Sequence, residues 1–151
     1  MSEEIKVSQE TEETKEPQEP EFDLTKSAAR YESLQFNLTI NNRFSEDLIV
    51  VSGAGKPNWG KFVDGPKNIS KKKAQVALRA WGKDSSPSGT EGTVKYQVRN
   101  DPSKIIEIYW SVPLRGRSSY NVKAPSSITH SSEGWNGSYW SENVVLTIGN
   151  S

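Results

Sequence analysis

Aromatic rings set beside bases on turn-like segments are the residues of this chain best suited to chemistry, and that chemistry is recognition rather than bond making. The 151-residue sequence holds five tryptophans, five tyrosines and four phenylalanines. Trp59 stands between Asn58 and Gly60, with Lys61 next. Tyr120 follows Arg115-Gly116-Arg117-Ser118-Ser119. Trp135 and Trp140 flank the polar stretch Asn136-Gly137-Ser138-Tyr139. An amphipathic ring on a polar turn suits the boundary between water and lipid headgroups. Its face can also hold a quaternary ammonium by cation–π attraction, about 0.5–2 kcal/mol each, while an arginine or lysine takes the phosphate of the same headgroup. A sugar ring stacked on these aromatics is one alternative reading, and plain structural packing is another.

Bond-making constellations are missing by comparison. With no cysteine, disulfides, thiolate metal sites and cysteine nucleophiles are excluded. The single histidine, His130, excludes a multi-histidine metal site; it lies in Ile-Thr-His-Ser-Ser, without a Gly-x-Ser-x-Gly elbow nearby. Glu91, Glu107, Glu133 and Glu142 are isolated acids rather than a glycosidase pair. No phosphate loop or dinucleotide motif occurs. The expectation is a protein that is not an enzyme and uses no cofactor or metal.

The elements that must position these residues have a period of two. Leu34, Phe36, Leu38 and Ile40 alternate with polar neighbours, as do Val76, Leu78 and Ala80, then Val94, Tyr96 and Val98, and finally Val144, Leu146 and Ile148; each set predicts a half-buried strand. The run 48–51 is continuously apolar and predicts a central strand. Asn100-Asp101-Pro102-Ser103 supplies turn residues, so 93–110 is expected to be a hairpin whose second strand carries Ile106, Ile108 and Trp110. Trp81 and Tyr96 are expected in the core, and Trp110 fits a core place beneath Ile108 as well as a surface one. Turn signals recur about every ten residues, and no segment offers a helical period. An all-β fold follows: a single antiparallel β-sandwich over residues 31–151.

Charge divides the chain differently. Residues 1–23 carry nine acids against Lys6 and Lys15, a balance of −7, so the neutral total conceals a body of +7. The stretch 10–21, Glu-rich with two prolines, cannot bury enough surface to offset the roughly 1–2 kcal/mol of backbone entropy lost per ordered residue; residues 1–30 are expected to be a disordered acidic tail. Lys71-Lys72-Lys73 raises nucleic acid as a partner only weakly, since a solvated turn or anionic lipid explains it equally, and no nucleic acid partner is expected. The apolar runs fall far short of the ~20 residues that span a bilayer. Met1-Ser2-Glu3-Glu4 does not begin a signal peptide. The expectation is a chain made in the cytoplasm and then secreted or released to act at target-cell membranes.

Three elements in order carry a family resemblance: Asn58-Trp59-Gly60-Lys61-Phe62 before Asp64-Gly65; Ser88-Gly89-Thr90-Glu91-Gly92-Thr93 opening a strand; and Ile108-Tyr109-Trp110-Ser111-Val112-Pro113 before a Gly/Ser/Asn loop. In order and spacing the chain resembles the aegerolysins over about residues 34–148. The resemblance implies a sandwich that binds membrane lipids, often in sphingolipid-containing membranes. It further implies, for some members, joint action with a pore-forming partner of the membrane-attack-complex/perforin type, and haemolytic or insecticidal activity. Trp59 matches the family tryptophan associated with headgroup binding, and Phe36 falls where many members carry a first-strand tryptophan. The loop Pro113-Leu114-Arg115-Gly116-Arg117-Ser118 is more basic than its family counterpart.

A shorter likeness, Tyr109-Trp110-Ser111-Val112-Pro113, is to the actinoporins, which form pores through an amphipathic N-terminal helix. The Glu-rich, Pro-interrupted N-terminus here has no apolar stripe and is not expected to insert unaided. The combined expectation is a lipid-binding targeting half of a two-component cytolysin. Its lipid-binding candidates are Phe36, Trp59, Lys61, Trp110, Arg115, Arg117, Tyr120, Trp135 and Trp140. A glycan-binding module or a self-sufficient pore former are the alternatives.

Overall fold

The protein is seen in a computed structural model that describes residues 34–82, 89–137 and 141–151. The expectations for the tail at 1–30, for Ser88 in the second family element, and for Tyr139 and Trp140 lie outside the described residues.

Period-two patterning becomes strand wherever one face is buried, and β1 (Gln35–Asn42) shows this most simply, with every second residue from Phe36 to Asn42 buried. Next come β2 (Leu48–Ser52), β3 (Lys61–Asp64), β4 (Ala74–Trp81), β5 (Thr90–Val98), β6 (Asp101–Val112), β7 (Ser119–Lys123), β8 (Ile128–Glu133) and β9 (Ser141–Asn150). Among the described residues there is no helix. A five-stranded sheet ordered β3-β4-β1-β9-β8 packs on a four-stranded sheet ordered β2-β5-β6-β7, which is the expected all-β sandwich. Leu38, Ile40, Leu78, Val94, Ile106, Ile108, Leu146 and Ile148 fill the space between the two sheets. Neighbouring strands run antiparallel except β1 and β9; the first and last strands share no connection, so no hairpin dictates their direction.

Four details depart from expectation. The run 48–51 forms an edge strand, not a central one: β2 pairs with β5 alone within its sheet, and Val51 is exposed. Its outer edge is covered instead by the segment after β3, where Leu48 and Ile69 exchange backbone hydrogen bonds at 2.8 and 2.9 Å and the Val50 N–H donates to the Asn68 side chain. Such cover blunts an edge that would otherwise template pairing with another chain. Trp81 does not enter the core. Leu78 and Ala80 point inward, so alternation turns Trp81 out, where its indole N–H donates to Asn37 Oδ1 at 3.2 Å. The β5–β6 turn sits earlier than the Asn-Asp-Pro-Ser signal: Val98 already pairs with Asp101, and Asn100 takes φ 68, which asparagine tolerates. Finally β3, β7 and β8 are short or largely polar edge elements, whose weak alternation left them illegible in the sequence.

Register fixes what the topology does with the loops. Gln35 lies opposite both Trp81 and Ser141, Lys61 opposite Trp81, Thr90 opposite Val112 and Ser111 opposite Ser119. The starts of odd-numbered strands and the ends of even-numbered ones therefore share one end of the sandwich. The loops carrying Trp59, Arg115, Arg117 and Trp135 all emerge there.

Candidate functional site

Trp59 presents a ring to solvent from a backbone that is held in place. Its N–H and C=O both bond Glu91, each at 3.1 Å, as an isolated bridge to β5. The preceding Pro57 is buried. The following Gly60 has φ +85, and a β-carbon there would collide with the Trp81 carbonyl, so only glycine turns the chain into β3. With the backbone fixed on both sides, the indole is 61% exposed. No other described tryptophan is classed as exposed.

The bridge also sets the ring's neighbours. Directly opposed residues of an antiparallel pair share a face. Thr90 and Gly92 point inward, so Trp59 and Glu91 occupy the outer face of the four-stranded sheet. The Tyr109 hydroxyl donates to Glu91 Oε2 at 2.7 Å. This bond raises the phenol's pKa above 10.0, with burial adding to it, and the hydroxyl stays a donor. An aromatic face beside a carboxylate is a recognition surface for a headgroup ammonium. Neither Glu91 nor Tyr109 stood among the expected site residues. Both were within reach of the sequence through the hairpin, once Glu91 is counted opposite Ser111 and Thr93 opposite Tyr109.

A second aromatic spot lies on the other flank of the same end. Tyr120 of β7 stacks on Trp135 of the β8–β9 loop, with centroids 5.2 Å apart, and the Tyr120 hydroxyl shares a 2.7 Å hydrogen bond with Ser132. Burial raises the pKa of this phenol. The loop is tied down by Glu142, a fully buried acid whose Oε1 accepts from the Asn136 N–H at 3.0 Å. Exposed Arg117 reaches toward Gly137 of this loop, which places a cation beside the loop that carries half-buried Trp135. Two strand spacings, roughly 10 Å, separate β5 next to Trp59 from β7 carrying Tyr120.

Between the two spots runs a column of rings whose centre never reaches solvent. Trp110 stacks face to face with Phe36 (5.2 Å, interplanar 5°), Phe62 tilts against Trp110, and Phe36 leads on to Tyr120 at 5.9 Å. The Trp110 indole N–H donates to Thr90 Oγ1 at 3.1 Å. Phe36 and Trp110 are both 0% exposed. Each sits on an inward phase of its strand, so as placed they support the end rather than face a ligand, which corrects the expectation that put them on a headgroup face. Lys61 and Arg115 are half-buried at the same end, the first opposite Trp81 on β3 and the second within the β6–β7 loop. Of the expected residues, the structure brings Trp59, Lys61, Arg115, Arg117, Tyr120 and Trp135 to one end.

Comparison with known proteins agrees with this architecture. A family model described as Aegerolysin matches residues 33–143. No curated protein sequence matches. Among solved structures, RahU protein in complex with a Tris molecule superposes with a TM-score of 0.65 at 15% identity, covering 80% of this chain and 97% of that one. IP-1A from Alcaligenes faecalis gives 0.67 at 20% identity, over 83% and 96% of the two chains. The lipid binding protein Nakanori gives 0.63 at 10% identity, over 84% and 76%.

Proposed function

Because the chain belongs to the aegerolysin family, we propose that it is a membrane-lipid-binding protein that docks by the end carrying Trp59, Arg117 and Trp135. The observation that carries this reading is the Trp59 ring, 61% exposed on a backbone bonded in both directions to β5. Exposing a tryptophan in water is unfavourable unless the ring has somewhere to go, and a rigid anchor loses little freedom on binding. Trp59 beside Glu91 and Tyr109 suits the ammonium of a zwitterionic headgroup, and Arg117, across the same end, suits the phosphate of a neighbouring one. Nakanori, one of the structural neighbours, is described as a lipid binding protein, which supports the same reading.

Sphingolipid-type headgroups are the proposed ligands. The protein acts as a binding component rather than an enzyme: the targeting half of a two-component haemolytic or insecticidal system whose pore-forming half is a perforin-type protein. It is released to act at target-cell membranes. Co-sedimentation with vesicles of phosphatidylcholine, of sphingomyelin with cholesterol, and of ceramide phosphoethanolamine tests the lipid reading. Binding to a sphingolipid class, lost in Trp59→Ala, is the expected result; equal failure on all vesicles overturns it. Dye release from the same vesicles by the protein alone would replace the two-component role with independent pore formation.

A further inference from the structure

The opposite end of the sandwich carries a groove that lipid docking by the Trp59 end leaves unused. Arg43, Lys72, His130, Ser131 and Thr147 help to line a depression of about 470 Å³, and no acid lines it. Two cations and the hydroxyl residues Thr129, Ser131 and Thr147, which share one face of the sheet through the Thr129–Gly149 and Ser131–Thr147 pairs, thus line one concavity, with His130 at its border on the alternate strand phase.

The groove is built by the backbone. The Arg43 N–H donates to the Ile148 carbonyl at 2.8 Å, which lays Arg43 across β9. Gly149 makes the room: a β-carbon there would come within 3.0 Å of Arg43 Cβ. Lys72 is held at φ 57, a left-handed conformation unfavourable for any residue with a side chain. Its N–H donates to the Phe44 carbonyl at 3.2 Å and its Nζ to the Arg43 carbonyl at 2.9 Å. The ammonium is therefore anchored at the rim by one of its three protons. Of the acids on neighbouring loops, Asp47 accepts from the Lys71 N–H and from Arg99, Asp101 accepts from Ser103, and exposed Glu46 does not line the groove.

We propose that this groove is a second ligand site, taking a phosphate-type anion either free or on a lipid headgroup. Arginine and lysine supply charge-assisted hydrogen bonds, and serine and threonine hydroxyls can complete the shell of an oxyanion. The proposal does not rest on the lipid-docking reading, because the groove and Trp59 lie at opposite ends.

Backbone amide NMR of the full chain, titrated with inorganic phosphate at constant ionic strength, tests it. Saturable shifts at Lys72, His130 and Ser131 are expected. Lys72→Gly accepts the left-handed backbone without strain and removes the ammonium, so it should keep thermal stability while weakening phosphate binding about tenfold or more. Gly149→Ala, which displaces Arg43, should weaken it as well. Vesicles with phosphatidic acid separate the two sources. Phosphate binding together with Lys72-dependent vesicle binding in a Trp59→Ala background supports a lipid ligand; phosphate binding without vesicle binding supports a soluble one. Shifts that do not saturate, that sodium chloride reproduces, or that Lys72→Gly leaves unchanged overturn the proposal. So would the same shifts from a peptide of residues 10–21 combined with none from phosphate, which would give the groove to the acidic segment instead.

Discussion

Trp59 and Asp47 show how differently two surface residues can matter. The Trp59 ring touches little of the fold, so Trp59→Ala should change stability by no more than about 0.5 kcal/mol. If the ring anchors the protein to a headgroup, the same substitution should cost at least roughly tenfold in vesicle affinity. Urea melts alongside co-sedimentation separate the two effects. Asp47 works in the opposite sense. The Lys71 N–H, then Arg99 at 3.1 Å, hold its pKa below the ordinary 3.8. A carboxylate with a depressed folded pKa stabilises the fold above its unfolded value, and that contribution is lost as pH falls through the folded one. Asp47→Asn should therefore be less stable than the parent at neutral pH, with the gap closing below about pH 4; thermal melts from pH 7 to pH 3 check this.

The β5–β6 hairpin is the element on which the candidate site depends. Gly92 lies on its inner face, and a β-carbon there would come within 2.6 Å of the Trp110 ring. Glycine is required by space here, since its backbone lies in the ordinary strand region. Gly92→Ala should destabilise by about 1–3 kcal/mol through overpacking. Adding Trp110→Phe, which removes the ring atoms that collide, should recover part of that loss, and the double-mutant cycle in urea should show a coupling well above 0.5 kcal/mol. Because β5 also pins Trp59 through Glu91, the strained Gly92→Ala hairpin should loosen the Trp59 bridge and lower vesicle affinity without touching an exposed residue.

For the molecule as a whole, the strand topology separates two surfaces. One end gathers Trp59, Tyr120, Trp135 and Arg117. The other gathers Arg43, Lys71, Lys72, Lys73, Arg99 and Lys104 against Glu46, Asp47 and Asp101. Docking by the aromatic end leaves the basic end facing away from the bilayer, so Lys73→Glu should change binding to uncharged, zwitterionic sphingomyelin vesicles by less than about twofold. Quenching by brominated lipids should reach Trp59 and spare the buried Trp110. If the far-end substitution abolishes vesicle binding, the proposed orientation is wrong.

The all-β class, the hairpin, the inward phase of Tyr96 and the aegerolysin likeness were all legible along the chain, because alternation and turn residues act between near neighbours. The sequence also named the aromatics. It could not sort them, since a ring's burial depends on the strand packed across from it: Phe36 and Trp110 vanish into one stack, while Trp59 stays in water. The edge position of β2, the bridge that sets Trp59 beside Glu91 and the groove between Arg43 and Lys72 were likewise invisible. Each is a contact between residues distant in the chain, set by the order and register of strands, and local pattern carries no record of which distant strand will come to lie alongside.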